Sequence, residues 1–189
     1  KTFLTLVGEQ NAWLKTTQGW VVILAIVSSE NITIQNLNLI HEVERGYCFG
    51  SVIHLSDVKN IKILDSSMDG SGTQAVEMEN AQNVEIIGGK AIRNTEGVFA
   101  IKDSKNILLK NMLIAENDNS GYFAKGILDI ENSENIYFLN NVIKNNHNHY
   151  FNQITRTKNL MLENNQFSNN IFEFGESEIG NQSKGFPKK

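Results

Sequence analysis

One short pattern, Asn–apolar–any–apolar, recurs six times along the chain: Asn31-Ile-Thr-Ile, Asn60-Ile-Lys-Ile, Asn83-Val-Glu-Ile, Asn106-Ile-Leu-Leu, Asn135-Ile-Tyr-Phe and Asn159-Leu-Met-Leu. The spacings are 29, 23, 23, 29 and 24 residues. A period of this size marks a chain that repeats one supersecondary unit and completes its core only by stacking neighbouring units. Further columns fall into the same register. Seven residues before each Asn stand Leu24, Ile53, Val76, Phe99, Leu128 and Asn152; five before stand Ile26, Leu55, Met78, Ile101, Ile130 and Ile154. Five after stand Asn36, Asp65, Gly88, Asn111, Asn140 and Asn164; eight after stand Leu39, Met68, Ala91, Ile114, Ile143 and Phe167. Asn152, polar in an apolar column, suggests a loosening last coil.

Each unit holds three short apolar runs of period two, the alternation of half-buried strands. Asn, Asp or Gly separates them, residues that tolerate left-handed backbone. No segment carries sustained helical spacing, and no Asn-Gly hairpin turn is present. Identical registers stack most naturally as an all-β, single-stranded right-handed parallel β-helix, about six to seven coils of 23–29 residues with three short strands per coil. A leucine-rich repeat has a similar period but one strand per unit. The repeat Asn side chains, each both donor and acceptor, are expected to form a ladder that satisfies buried turn backbone. That role accounts for much of an unusual composition, 26 Asn in 189 residues. It also makes the glycosylation sequon at Asn31 incidental.

The remaining composition narrows function. A net charge of −4 argues against nucleic acid. The single Cys48 excludes an internal disulfide or a cysteine-based zinc cluster, and no apolar run approaches the roughly 20 residues of a membrane span. Residues 1–182 read as one solenoid domain. Within it, 1–20 form an irregular first coil or cap (Phe3 to Leu14 is not patterned as a signal peptide) and 171–182 a partial last coil; 183–189 form a polar tail. A monomer is expected.

The two spacings of 29 mark six-residue insertions at one register, in 41–50 and 117–126. Insertions at one register emerge on one face, commonly the binding face. The shorter turns between them, 69–73 and 93–96, would form the floor of a groove with the insertions as walls. The chain from Leu4 to Asn170 resembles the right-handed parallel β-helix repeat proteins of bacteria, the pectate-lyase-like solenoids. A closer likeness lies in His41-xx-Glu44-x-Gly46-Tyr47-Cys48-x-Gly50-x-Val52-Ile53 followed by Gly70-Ser71-Gly72-Thr73. It is similar to a loop-plus-turn pattern of a subgroup without assigned activity. Where that turn often carries Cys, this chain has Ser71. The resemblance implies the fold and a secreted, periplasmic or cell-surface location. The catalytic patterns of polygalacturonases, alginate epimerases and pectate lyases are not found in this sequence, so it implies no particular activity.

The residue six before each repeat Asn alternates with inward neighbours and should face out: Ala25, His54, Glu77, Ala100, Asp129 and Gln153. His54 and Glu77 are then cross-strand neighbours. A lyase needs a base beside a cation, which His54 or Lys125 with Arg45 or Arg93 could supply. A hydrolase needs two carboxyl groups; Glu42, Glu44, Asp69, Glu77, Glu96 and Asp129 are candidates without a unique pair. A plain cross-strand His–Glu pair is the alternative. The candidate catalytic set is thus His54, Glu77, Arg45, Arg93 and Asp69. The candidate substrate-binding set is His41, Glu44, Arg45, Tyr47, Asp69, Arg93, Glu96, Tyr122 and Lys125, where rings and charges together suit sugar recognition. His147 and His149 share a strand face, but two ligands make no metal site. No cofactor is called for, and calcium has no recognisable ligand set. The reading is a secreted or surface module, carbohydrate-binding or structural. The alternatives are a polysaccharide lyase or glycoside hydrolase in the groove, and a protein-binding adhesin or scaffold with Val52, Val98 and Ile127 as an exposed patch.

Overall fold

The computed structural model describes residues 3–9, 12–44, 49–70, 74–119 and 125–174. Its architecture follows from where the backbone is left-handed. Four register positions carry positive φ: the repeat Asn; the residue three before it (Ser28, Asp57, Asn80, Asp103, Asn132, Arg156); the residue five after (Asn36, Asp65, Gly88, Asn111, Asn140, Asn164); and the residue ten after (Gly70, Arg93, Glu116, Asn145, Asn169). The sequence pattern pointed to two of these columns. The other two escape it because Ser, Arg and Glu interrupt the Asn signal there. Each left-handed residue bends the chain between straight runs, and identical bends in successive coils bring equivalent runs side by side.

Three parallel sheets result. The first contains Leu24–Val27, Ile53–Ser56, Val76–Glu79, Phe99–Lys102, Gly126–Glu131 and Tyr150–Thr155. The second contains Leu4–Val7, Glu30–Gln35, Lys59–Leu64, Gln82–Ile87, Lys105–Lys110, Glu134–Leu139 and Lys158–Glu163. The third contains Trp13–Thr16, Asn38–His41, Ser67–Asp69, Lys90–Ile92, Leu113–Ala115, Val142–Lys144 and Gln166–Ser168. The chain visits first, second and third sheet in turn, then climbs one coil. The segments Leu4–Val7 and Trp13–Thr16 are already in register with the next coil, pairing Leu4 with Ile32 and Trp13 with Asn38. A short extra pair joins His147–Asn148 to Ile171–Phe172.

Inside, Ile, Leu, Val, Met and Phe stack column upon column; Ile53, Leu55, Met78, Phe99 and Phe138 are fully buried. Phe151 meets Phe138 and Phe167 edge to face, with centroids 6.1 and 5.0 Å apart. Asn152 is buried and paired with Leu128, so the coil stays closed at the column where the sequence suggested loosening. Val52, Val98 and Ile127 are also fully buried, which removes them as an adhesive surface patch. The chain turns a corner there, so consecutive residues such as Val52 and Ile53 both point inward.

Two kinds of amide ladder hold the corners. The repeat Asn residues form the expected one, each Nδ2 donating to the Oδ1 one coil below at 2.9 Å, from Asn60 to Asn31 through to Asn159 to Asn135. This ladder lies along the outside, with Asn106 and Asn159 exposed. The satisfaction of buried backbone falls to a different set. Asn94, Asn117, Asn146 and Asn170 form a ladder eleven residues after the repeat Asn. Asn94, Asn117 and Asn146 are at most 1 % exposed. Asn141 and Asn165 add a shorter stack at another corner.

Candidate functional site

The outward column of the first sheet is set by strand alternation. Ala25, His54, Glu77, Ala100, Asp129 and Gln153 are register partners in sequence across six strands. His54 Nδ1 lies 3.2 Å from Glu77 Oε2. Next comes Ala100, whose small side chain leaves a depression between Glu77 and Asp129. A second row, Glu79, Lys102, Glu131 and Thr155, completes a groove of about 350 Å³ on this face. Lys102 pairs with Glu79 at 3.6 Å, and Arg156 pairs with Glu131 at the edge.

Asp129 differs from the other carboxylates. It sits where the second insertion re-enters the sheet, accepting the backbone N–H of Gly126 at 3.1 Å. Gly97 closes over it, and a Cβ there would lie 3.3 Å from Asp129 Oδ2 and 3.0 Å from the Gly126 carbonyl. Burial pushes the carboxyl up to about 7, although the Gly126 N–H and the nearby Lys125 ammonium both favour the charged form. Two strand spacings, roughly 9.6 Å between backbones, separate it from Glu77.

The adjoining corner, between third and first sheets, carries the insertions. Asp69, 5 % exposed, pairs with the exposed Arg93. Lys125 Nζ stands 3.4 Å from Glu96 Oε2. Asn119 staples the base of the second insertion: its Nδ2 donates to the carbonyls of Glu96 and Lys125, and its Oδ1 accepts the N–H of His149 at 3.0 Å. At the first insertion, His41 Nε2 donates to the Val21 carbonyl at 2.7 Å. Burial lowers the pKa of His41 despite that bond, which favours the neutral imidazole.

Parallel strands at a 23–29-residue period, four corner columns of left-handed residues and a closed apolar interior are now joined by a sequence match: residues 22–181 fit the family described as right handed beta helix region. The chain belongs to that family. No curated protein and no solved structure matches it.

In this right-handed beta helix the candidates among the described residues do not form one cluster. Arg93 is engaged with Asp69 at a corner, whereas His54 is engaged with Glu77 on the first sheet. Arg93 and His54, one cation–base combination for a lyase, therefore stand in separate pairs. His41 is 4 % exposed and turned inward, so it anchors the base of its loop and does not line the groove. Glu44 is exposed on that loop. Glu96 is nearly buried beneath the more open Lys125. Arg45, Tyr47 and Tyr122 lie outside the described residues. His147 and His149 are bridged by Glu173, at 3.0 and 3.2 Å. Among the described residues no group of three or more His, Cys, Asp or Glu is arranged to hold a metal ion.

Asp129 is the residue that sequence reasoning undervalued. It stood in the outward column, but nothing singled it out. The readable signal was local: a Gly three residues upstream at the loop exit, with Ala100 as its cross-strand neighbour.

Proposed function

We propose that this right-handed beta helix is a polysaccharide-binding module acting outside the cytoplasm, as a monomer, with its ligand along the outer face of the first sheet. The observation that carries the reading is the groove over Ala100, flanked by hydrogen-bonding side chains at one-strand intervals and opening beside the second insertion. Such a row of donors and acceptors suits a ligand with hydroxyls at regular intervals. Glu77, Glu79 and Glu131 outnumber Lys102 there, so a neutral glycan fits and a polyuronate is repelled. Ala100→Trp puts a large ring on the groove floor at a partly exposed position. In calorimetric titration against a panel of neutral and acidic polysaccharides, it should weaken neutral-glycan binding more than tenfold, the effect of losing roughly 1.4 kcal/mol or more. Unchanged binding by the folded variant would sink this location.

One observation favours a second reading, glycoside hydrolysis with inversion. Asp129 keeps its proton to near neutrality while Glu77 faces it across Ala100. Inverting enzymes hold their two carboxyl groups roughly 6.5–9.5 Å apart, a separation that would require Glu77 to leave His54 and lean across Ala100 toward Asp129. Asp129 would give its proton to the departing glycosidic oxygen, and Glu77 would take one from the attacking water. Asp129→Asn should then abolish release of reducing ends and leave binding intact. Wild-type protein that binds without turnover at any pH between 5 and 8 would return the module to binding alone.

A further inference from the structure

A second groove, of about 540 Å³, runs along the corner between the first and second sheets. It is built by one three-residue stretch repeated over five coils. Small buried residues such as Ala81 and Ser104 form the floor. The left-handed residue before them forms one lip, and the first residue of the second-sheet strand forms the other. Because these strands are in register, the lip residues repeat at the strand spacing, about 4.8 Å.

The chemistry alternates with the coils. At the second coil the lips carry Asp57 and Lys59, at the third Asn80 and Gln82, and at the fourth Asp103 and Lys105. Asn80 Nδ2 donates to Asp57 at 2.6 Å and Asn132 donates to Asp103. The carboxylates are thereby held in place with lone pairs to spare. Glu134 breaks the alternation on one lip of the fifth coil, and Arg156 with Lys158 closes the far end. The groove is thus close to charge-balanced, and over the coils of Asp57, Asn80 and Asp103 both lips repeat at a two-coil spacing, roughly 9.6 Å.

An extended peptide does not match this spacing, since its residues advance about 3.3 Å and same-face side chains about 6.6 Å. A nucleic acid strand would meet the carboxylates of Asp57 and Asp103. An extended β-linked glycan advances about one sugar per coil, and its successive rings present opposite edges, so its pattern also repeats after two units. We infer that this corner groove is a second binding site, for a neutral, extended β-linked glycan seated one sugar per coil between the Asp/Asn lip and the Lys/Gln lip. It stands independently of the groove on the first sheet, and the two together would make the module bivalent toward polysaccharide.

The test is calorimetric titration of the full chain with cello-oligosaccharides of two to six sugars, with maltohexaose and a hexauronate as comparisons. Affinity should rise with length up to about five sugars, the number of coils lining the groove, and then level off. Lys105→Met should weaken cellohexaose binding about tenfold, the usual scale for one charged hydrogen bond. Gln82→Trp, which narrows the lip without touching the floor, should weaken it further. Both variants should keep whatever binding Ala100→Trp removes, and circular dichroism matching the wild type confirms their fold. Equal affinity for all lengths, preference for maltohexaose or the uronate, or loss through Ala100→Trp alone would each overturn the assignment.

Discussion

Asn117→Ala should lower the unfolding free energy by about 4 kcal/mol, on the scale of several buried polar groups left without partners at about 1–3 kcal/mol each. Asn117 is fully buried, and both ends of its amide are in use. Its Nδ2 donates to Asn146 Oδ1 at 2.8 Å and to the Ala91 carbonyl at 3.1 Å. Its Oδ1 accepts from the backbone N–H of Asn94 at 3.0 Å and from Asn94 Nδ2 at 2.8 Å. Alanine would orphan those groups in a place that bulk water does not reach, and the low local dielectric makes each loss costly. Asn106→Gly is the matched comparison. Asn106 also bonds above and below, to Asn135 and Asn83, but on the exposed side of the corner. Glycine keeps its positive φ of 58° without strain. Water replaces the lost bonds, and the cost should stay near 1 kcal/mol. Urea unfolding of both variants checks the contrast; equal losses would mean that the inner ladder is no more structural than the outer.

That contrast marks where the sequence could be read and where it could not. The outer ladder was legible because Asn31, Asn60, Asn83, Asn106, Asn135 and Asn159 each precede an alternating apolar pair, and the period stands out in all six coils. The inner ladder has the same amide chemistry at a fixed register, but in four coils only. Glu42 and Ser71 occupy that column where the first insertion and the Gly-rich turn intervene. The four Asn residues look like loop residues until coordinates place them inside. Alternation also located His54 and Glu77 on one face, since strand period two is a local property. It could not say that Arg93 would turn to Asp69, because corner side chains are aimed by the left-handed bend and not by the strand. Nor could it predict that Asp129 would be covered, because that depends on Gly97 and on the return path of an insertion, contacts that cross coils 29 residues apart.

Asp129→Asn should stabilise the protein at pH 8 and do little at pH 4, the reverse of what losing a salt bridge does. The sign follows from the direction of the shift. The folded-state pKa of Asp129 is raised to about 7, well above the ordinary carboxylate value it has in the unfolded chain. Its contribution is therefore fully present below the unfolded pKa and is lost as pH rises through 7, when an ionised carboxylate must be held under Gly97. About three pKa units correspond to roughly 4 kcal/mol, and partial solvent access reduces the expected gain to about 2–3 kcal/mol at pH 8. For a chain of this length that is a rise in melting temperature of roughly 4–12 °C. Asparagine has nearly the same shape and can still accept the Gly126 N–H, so the substitution isolates the charge. Difference curves of stability between variant and wild type, taken from pH 4 to 8, cancel the other titrating groups. A flat difference curve would show that Asp129 is solvated in the folded state and would remove it as a proton donor. A curve that climbs from about pH 4 and levels off above pH 7 would show that the outer face retains one carboxyl at a cost to stability, as sites built for chemistry commonly do.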